Sequence, residues 1–219
     1  MPNWVNNTVT VNGDPEEIKK FKEKAAQSYS SHGGETHEAV FSFWNFKRPP
    51  QEALDNGEYY ETHGFSPEKG HTGQTTNNWY NWNSTEWGTK WDACRPETVW
   101  EDASSIQYTF DTAWSMPEPV FEAMVAQHPK LKFDIYCIEE QGWGMEYRGI
   151  YGELNTVDEW DIPSTHEESM KRTESCQCEW YDGSDPDEWK YLFDDCPAKN
   201  LDTAAAIEKL EKVEASLAQ

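Results

Sequence analysis

The chain has 219 residues, enough for one domain with additions or for two small domains. Hydrophobic residues make up only 36% of it, and 12 Trp, 10 Tyr and 9 Phe compensate, because each aromatic side chain buries a large area. The formal net charge of −23 disfavours direct binding to nucleic acid or to an anionic membrane and allows a basic protein partner. The five cysteines form no regular framework, which predicts free thiols in a reducing cytosol.

The N-terminal part predicts a strand, a helix and a second strand. Residues 4–11, WVNNTVTV, place three valines on one parity, as in a strand with one buried face. Gly13 turns the chain, and residues 14–17, DPEE, supply the cap, proline and acidic residues of a helix start. After a polar loop, the aromatic-rich residues 40–46, VFSFWNF, predict the second strand.

A clearer strand and helix follow later in the chain. Apolar side chains alternate over residues 106–114, so we expect a strand that buries one face, with Trp114 on that face. Ser115 and Glu118 have the spacing of a capping box. Helical spacing of apolar residues then continues until Pro129, which ends the helix.

Residues 131–137 and 143–151 alternate as two more strands and predict an antiparallel hairpin. Two strand–helix–strand units on one antiparallel sheet define an α+β, ferredoxin-like plan with two helices. We therefore predict a ferredoxin-like domain over residues 1–155, with a Trp-rich insertion at residues 47–103. An acidic, helical C-terminal subdomain is expected over residues 156–219.

The insertion contains an aromatic and polar segment at residues 77–93, NNWYNWNSTEWGTKWDA. Residues 83–85 predict the turn of a hairpin between two aromatic arms. Indole planes stack on bases or sugars, which favours a binding surface; alternatively, the indoles fill the space between the insertion and the sheet. The predicted ligand- or partner-binding residues are Trp79, Asn81, Trp82, Trp87, Lys90, Trp91 and Asp92.

Several stretches are similar to a known family. MPNWVNN with VNG, EWGTKWDA, and FDTAWSMPEPVFEAM followed by LKFDIYCIEE resemble the YubB-like or Api-like ferredoxin-fold family, whose members are uncharacterised proteins of bacteriophages, prophages and plasmids. The resemblance covers residues 1 to about 155, and it departs at Val5 and Glu86, where the family usually has Cys and Asn. It implies a mobile-element origin, the cytoplasm of a bacterial host cell and an α+β sandwich, and it brings no established catalytic residues.

Residues 156–219 carry roughly half of the net charge together with aromatic side chains, which favours an interaction surface over a featureless tail. A last helix capped by Asp202 has one apolar stripe, which could dock on the domain or pair with a second copy, so a monomer or a dimer is expected. The predicted acidic surface comprises Glu179, Asp182, Asp185, Asp187, Glu188, Asp194 and Asp195.

No catalytic or metal-binding signature stands out. The sequence contains no Gly-x-Ser-x-Gly motif, and a Cys94–Arg95 pair that could activate a thiol is common by chance. Cys176 and Cys178 lack the usual zinc-ligand spacing, and the acidic residues 182–188 do not match a calcium loop. We therefore expect no catalytic residue, no metal and no cofactor.

Two functions of different classes are compatible with these features. The first is a non-enzymatic phage or mobile-element accessory protein, whose acidic, nucleic-acid-mimicking surface modulates a basic host or phage protein. The second is a nucleotide- or sugar-binding protein, with hydrolytic activity left open, that uses the Trp-rich segment. A minor virion component is a further alternative. No membrane partner and no direct nucleic-acid partner are expected.

Overall fold

A computed structural model describes residues 3–30, 36–49, 82–173, 179–180 and 190–191. The chain divides into two compact units, which are described separately below. The larger unit comprises Met1–Glu140 and Gly144–Trp160, and the smaller one comprises Gln141–Trp143 and Asp161–Gln219.

The larger unit is built on a six-stranded antiparallel sheet with the strand order β4-β5-β1-β6-β7-β8. Within the described residues it contains two α-helices, α1 (Pro15–Ala25) and α2 (Glu118–Gln127). A two-stranded ribbon is formed by β2 (Tyr29–Ser30) and β3 (Thr36–His37). The strands of the main sheet are β1 (Trp4–Asn12), β4 (Cys94–Glu101), β5 (Ser105–Ala113), β6 (Lys132–Glu139), β7 (Gly144–Ile150) and β8 (Glu153–Trp160).

The order of these elements along the chain is that of a ferredoxin-like domain. The run β1-α1-β4-β5-α2-β6 gives the β-α-β-β-α-β sequence, and β1 lies in the sheet between β5 and β6. Val9 of β1 is opposite Tyr108 on one side and Ile135 on the other. Strands β7 and β8 extend the sheet at the β6 side. The predicted α+β, ferredoxin-like fold class is therefore confirmed.

The sheet has one face covered by the helices. Phe21 of α1 contacts the rings of Tyr108 and Phe133, and Phe121 of α2 contacts those of Phe110 and Tyr147. All of these contacts lie on the face of the sheet that also carries the buried valines of β1. Side chains of the other parity form the open face of the sheet: the even-numbered residues of β1 and β6, and residues 107, 109 and 111 of β5.

Helix α1 begins as its sequence predicts. The Oδ1 atom of Asp14 accepts a hydrogen bond from the backbone N–H of Glu16 at 3.0 Å, and Pro15 occupies the first turn, where a missing N–H costs nothing. Helix α2 begins differently. Its N-cap residue is Pro117, and the predicted capping box is wrong, because the hydroxyl of Ser115 donates instead to the carbonyl of Gly88 at 2.5 Å.

The predicted strand over residues 40–46 is wrong. Residues Phe43–Asn45 form a turn of 3-10 helix, and Ser42 caps it by accepting from the Trp44 N–H at 3.2 Å. The apolar character of the stretch comes from burial in the core, because Phe41 packs on Tyr108 and Phe110. The strand that completes the ferredoxin-like plan is β4, which lies in the sequence assigned to the insertion.

The β7–β8 turn is strained. Tyr151 and Gly152 have φ values of +56° and +85°, which is the combination that a two-residue hairpin turn requires and that a Tyr side chain disfavours. Tyr151 is 86% exposed, so its replacement removes little packing. We expect Tyr151→Asn to raise the free energy of unfolding by about 1 kcal/mol in urea denaturation. Tyr151→Val should lower it, and an Asn variant no more stable than the Val variant would contradict this interpretation.

The described part of the smaller unit contains helix α3 (His166–Thr173) and an antiparallel pair, β9 (Glu179–Trp180) with β10 (Lys190–Tyr191). Glu168 accepts hydrogen bonds from the backbone N–H and the hydroxyl of Ser164 at 2.8 and 2.9 Å, which ties the turn before α3 to its first turn. The predicted helix after Asp202 lies outside the described residues. Among the helices of the described ranges, none is long and apolar enough to cross a membrane.

Candidate functional site: a tryptophan cluster beside the open face

Residues 88–92 reach the end of β5 through backbone contacts. Gly88 has a φ of +78°, and a Cβ atom there would lie 2.8 Å from Pro119, so the chain passes close to the start of α2 only because residue 88 is glycine. The hydroxyl of Thr89 donates to the carbonyl of Ala113 at 3.0 Å. These contacts place Lys90 and Trp91 beside Trp114 at the end of the strand.

Three indoles meet at this point, and we call Trp4, Trp91 and Trp114 the tryptophan cluster. The ring centroids of Trp4 and Trp91 are 6.0 Å apart with their planes at 37°, and those of Trp91 and Trp114 are 6.1 Å apart at 30°. Trp4 and Trp91 are half-buried, and Trp114 is 48% exposed. The cluster therefore presents aromatic surface to solvent at one end of the open face.

Two cations lie against the tryptophan cluster. The Nζ atom of Lys90 is 4.6 Å from the ring centroid of Trp91 and 5.2 Å from that of Trp114, within cation–π range. The guanidinium of Arg95 lies 5.6 Å from the ring centroid of Trp4. The two side chains bring N–H donors to the aromatic cluster.

Arg95 also forms an ion pair with Asp111, whose Oδ2 atom is 2.6 Å from the guanidinium. The other oxygen of Asp111 accepts a hydrogen bond from the Asn6 side chain at 3.1 Å. Asp111 and Asn6 both lie on the open face, next to Trp4. A polar row thus continues from the tryptophan cluster onto the sheet.

The backbone at the cluster is strained. Trp114 and Arg95 have φ values of +66° and +53°, a region that costs a residue with a side chain about 1–2 kcal/mol. The positive φ of Trp114 turns its side chain out of the strand. The side chain is 48% exposed, so its predicted burial on the β5 face is wrong. Strain of this kind concentrates at binding sites, where the surrounding structure holds it in place.

The carboxylate of Asp92, the residue that follows Trp91, connects three segments of the chain. Its Oδ1 atom accepts from the backbone N–H groups of Phe43 and Ala93, both at 2.7 Å. Its Oδ2 atom accepts from the hydroxyls of Ser42 and Tyr29 at 2.6 and 3.0 Å. Burial raises the pKa of Asp92, and the four hydrogen bonds oppose that shift without cancelling it. The carboxyl group is thus turned toward the protein and acts in positioning residues 90–95.

The thiol of Cys94 is not set up as a nucleophile. Burial raises its pKa first, and the negative charges of Asp92 and Asp111 raise it further, while Arg95 has a smaller opposite effect. A nucleophilic thiol requires the reverse balance of charges. Within the described residues there is also no group of three His, Cys, Asp or Glu side chains that could hold a metal ion. Cys176 and Cys178 lie outside those residues.

The structure separates the residues predicted from the Trp-rich segment into two groups. Trp87 is buried against Phe43 and Trp44, with its indole N–H donating to the Lys47 carbonyl at 2.6 Å, and Trp82 packs edge-on against it. The predicted hairpin turn at residues 83–85 is wrong, because Asn83–Trp87 is a turn of π-helix. Lys90, Trp91 and Asp92 are brought together as described above, and Trp79 and Asn81 lie outside the described residues.

The predicted acidic surface is described only in part. Glu179 is the first residue of β9, and only its place in that strand is described. The other six residues of this surface lie outside the described residues: Asp182, Asp185, Asp187, Glu188, Asp194 and Asp195.

Sequence reasoning did not include Trp4, Trp114 and Arg95 in the site. A signal was present for Trp4, which lies on the parity of β1 opposite to the valines. The sequence could not place Arg95 beside the tryptophan cluster, because residues 4, 91 and 114 come together only through the register of β1 with β5. The left-handed backbone at Trp114 is disfavoured locally and has no sequence signature.

These observations define the class of the protein: a ferredoxin-like α+β domain with an exposed aromatic and cationic cluster at one end of its open face. A family model described as "Ferredoxin-like domain in Api92-like protein" matches residues 86–179, less than half of the chain. The matched stretch includes Trp91, Arg95 and Trp114 but not Trp4.

A crystal structure of protein api92 from Yersinia pseudotuberculosis superposes on this chain with a TM-score of 0.47 at 6% sequence identity. The superposition covers 74% of this chain and 99% of that chain, and it is too distant for a residue-by-residue correspondence. A comparison with curated proteins finds no match to the sequence.

Proposed function

We propose that this protein is a non-enzymatic binding module whose tryptophan cluster stacks on a ring-bearing ligand, a nucleotide or a sugar. The observation that carries the proposal is the exposed stack of Trp4, Trp91 and Trp114 with Lys90 and Arg95 against its rings. Flat aromatic surface provides stacking energy, and Lys90 and Arg95 supply hydrogen-bond donors for a phosphate or a hydroxyl group.

The strained backbone supports a binding role. The φ of +66° at Trp114 places its half-exposed indole beside Trp91. Asp92 supports the arrangement from below, because its hydrogen bonds fix the segment that carries Lys90, Trp91 and Arg95. The site is therefore preorganised, which reduces the entropic cost of binding.

We expect binding to require Trp114. Thermal-shift and tryptophan-fluorescence titrations with nucleoside monophosphates and with simple sugars should find a ligand, and Trp114→Ala should weaken its binding about 5- to 150-fold. Loss of one stacked ring costs about 1–3 kcal/mol, and 1.4 kcal/mol corresponds to tenfold. Tyr151→Asn is the matched control, because it removes an exposed aromatic side chain away from the cluster. Failure of every nucleotide and sugar to bind, or equal affinity of the Trp114→Ala variant, would remove the proposal.

A basic protein partner is the second proposal, supported by the net charge of −23. It includes the setting expected from the sequence, a phage or mobile-element accessory protein in the cytoplasm of a bacterial host, with a minor virion role as the alternative. Tagged protein should then retain a basic nucleic-acid-binding protein from lysate at low salt and lose it at high salt. Changing Asp182, Asp185, Asp187 and Glu188 to Lys should abolish retention, and unchanged retention would exclude this surface.

A further inference from the structure

A second aromatic pair lies on the open face, away from the tryptophan cluster. Tyr136 of β6 and Trp160 of β8 have ring centroids 5.3 Å apart with their planes at 28°. Trp160 is paired with Gly144 of β7, and a Cβ atom on Gly144 would come within 2.5 Å of the indole. The absence of a side chain at residue 144 therefore allows the indole to lie across β7 and stack on Tyr136.

The distance between the two aromatic groups exceeds the width of one sugar ring or base. In the register of β1 with β6, Tyr136 lies opposite Thr8, four residues along β1 from Trp4. At the rise of a strand and the spacing between strands, Trp4 and Tyr136 are about 14 Å apart. One nucleotide or one monosaccharide cannot contact both, so a ligand that uses both groups must contain several rings.

The surface between the aromatic groups carries Asn6 and Thr8 of β1, with Ile138 of β6 opposite Asn6. Beyond Tyr136, Thr10 accepts a hydrogen bond from the amide of Gln107 at 2.9 Å. None of these side chains is buried, and the contacts of α1 and α2 described above are on the other face. Hydroxyl and amide groups of this kind both donate and accept, as the hydroxyl groups of a sugar do.

Two ion pairs lie on the open face. Arg95 is paired with Asp111 at 2.6 Å, and Arg148 of β7 with Asp134 of β6 at 2.9 Å. Glu146 of β7 lies directly opposite Tyr136 and adds negative charge beside the second aromatic pair. A polyanion would be repelled there, whereas a carboxylate accepts hydrogen bonds from neutral hydroxyl groups.

We propose that the open face binds a neutral oligosaccharide of several sugar rings, which stacks on the tryptophan cluster at one end and on Tyr136 and Trp160 at the other. This proposal rests on the proposed function and specifies its ligand class. The charge balance of the face selects against single-stranded nucleic acid, and the distance between the aromatic groups selects for a chain over a single ring.

The experiment is calorimetric titration of the full chain with glucose and N-acetylglucosamine oligomers, from monomer to hexamer. Affinity for one series should rise at least tenfold with length. Trp160→Ala should abolish that rise and leave binding of the short sugars unchanged, whereas Trp114→Ala should weaken both. Tyr136→Thr, which keeps a good strand former, should reproduce the Trp160→Ala result if that variant folds poorly. Tyr151→Asn is again the control.

Each result has a distinct meaning. Affinity that does not depend on length, or binding of nucleotides alone at the tryptophan cluster, overturns the oligosaccharide proposal while the proposed function stands. Stronger binding of a single-stranded oligonucleotide than of any sugar also overturns it. Absence of binding to any sugar or nucleotide overturns both proposals.

Discussion

Replacing Asp92 by Ala should lower the free energy of unfolding by about 3 kcal/mol or more. The change leaves four donors without their acceptor: the hydroxyls of Tyr29 and Ser42 and the backbone N–H groups of Phe43 and Ala93. An unsatisfied buried donor costs about 1–3 kcal/mol, and the sum is reduced where water reaches the group. Urea denaturation followed by far-ultraviolet circular dichroism measures the loss.

Asp92→Asn is the informative comparison. Its carbonyl can keep accepting from the two backbone N–H groups, and the hydroxyls of Tyr29 and Ser42 can rotate to accept from its amide. We expect a loss below about 1.5 kcal/mol. Equal losses for the Asn and Ala variants would show that the charge, rather than the hydrogen-bond geometry, holds the segments together.

Wild type and the Asp92→Asn variant also test how the free energy of unfolding depends on pH. Because burial raises the pKa of Asp92 above its ordinary value of 3.8, the folded state binds its proton more tightly than the unfolded state does. This group therefore favours folding most below pH 3.8, and that contribution is lost as the pH rises through the folded pKa. The stability difference between wild type and Asp92→Asn should change in that direction across the acid range, and a constant difference would contradict the shift.

Replacing Phe41 by Ala should cost about 3–5 kcal/mol. The side chain has no exposed surface, and its ring contacts those of Tyr108 and Phe110 at centroid distances of 5.2 and 5.0 Å. Those partners belong to β5, so the loss removes the packing of the turn at residues 43–45 on the sheet. Urea denaturation of both proteins provides the comparison.

Val40→Ala is the matched control for this prediction. Val40 is the adjacent residue and is 41% exposed, so its truncation should change the free energy of unfolding by no more than about 0.5 kcal/mol. A Phe41→Ala variant that loses no more stability than the Val40→Ala variant would show that the turn is not part of the core.

The sequence predicts the strands and helices that have a regular apolar period. Strands β1, β5, β6 and β7 bury one face each, and their alternation is visible in the residues. Edge strand β4 contains Pro96 and is exposed along most of its length, so no alternation distinguishes it from a loop. The strand predicted for residues 40–46 was wrong for the opposite reason, because a short apolar run is equally compatible with a strand and with a buried turn.

The sequence predicted only the part of the candidate site whose residues are neighbours in the chain. Lys90, Trp91 and Asp92 are close in sequence, and their residue types indicated a surface that could bind rings. Trp4 and Trp114 join them through the pairing of β1 with β5, which places residue 4 opposite residue 113. Such a contact over more than 100 residues depends on tertiary structure, and the inward orientation of Asp92 depends on donors from two other segments.

The central position of β1 has a consequence for synthesis on the ribosome. The first strand to be made pairs with β5 and β6, and Asn12 must wait for Ser105 and Lys132 before its sheet neighbours exist. At ordinary translation rates this delay is on the order of 10 s, during which the valine-rich strand has no native partner. The centre of the sheet therefore cannot form until β6 has been synthesised, and its folding is expected to be slowed by the two pairings, β1 with β5 and β1 with β6, that join distant parts of the chain.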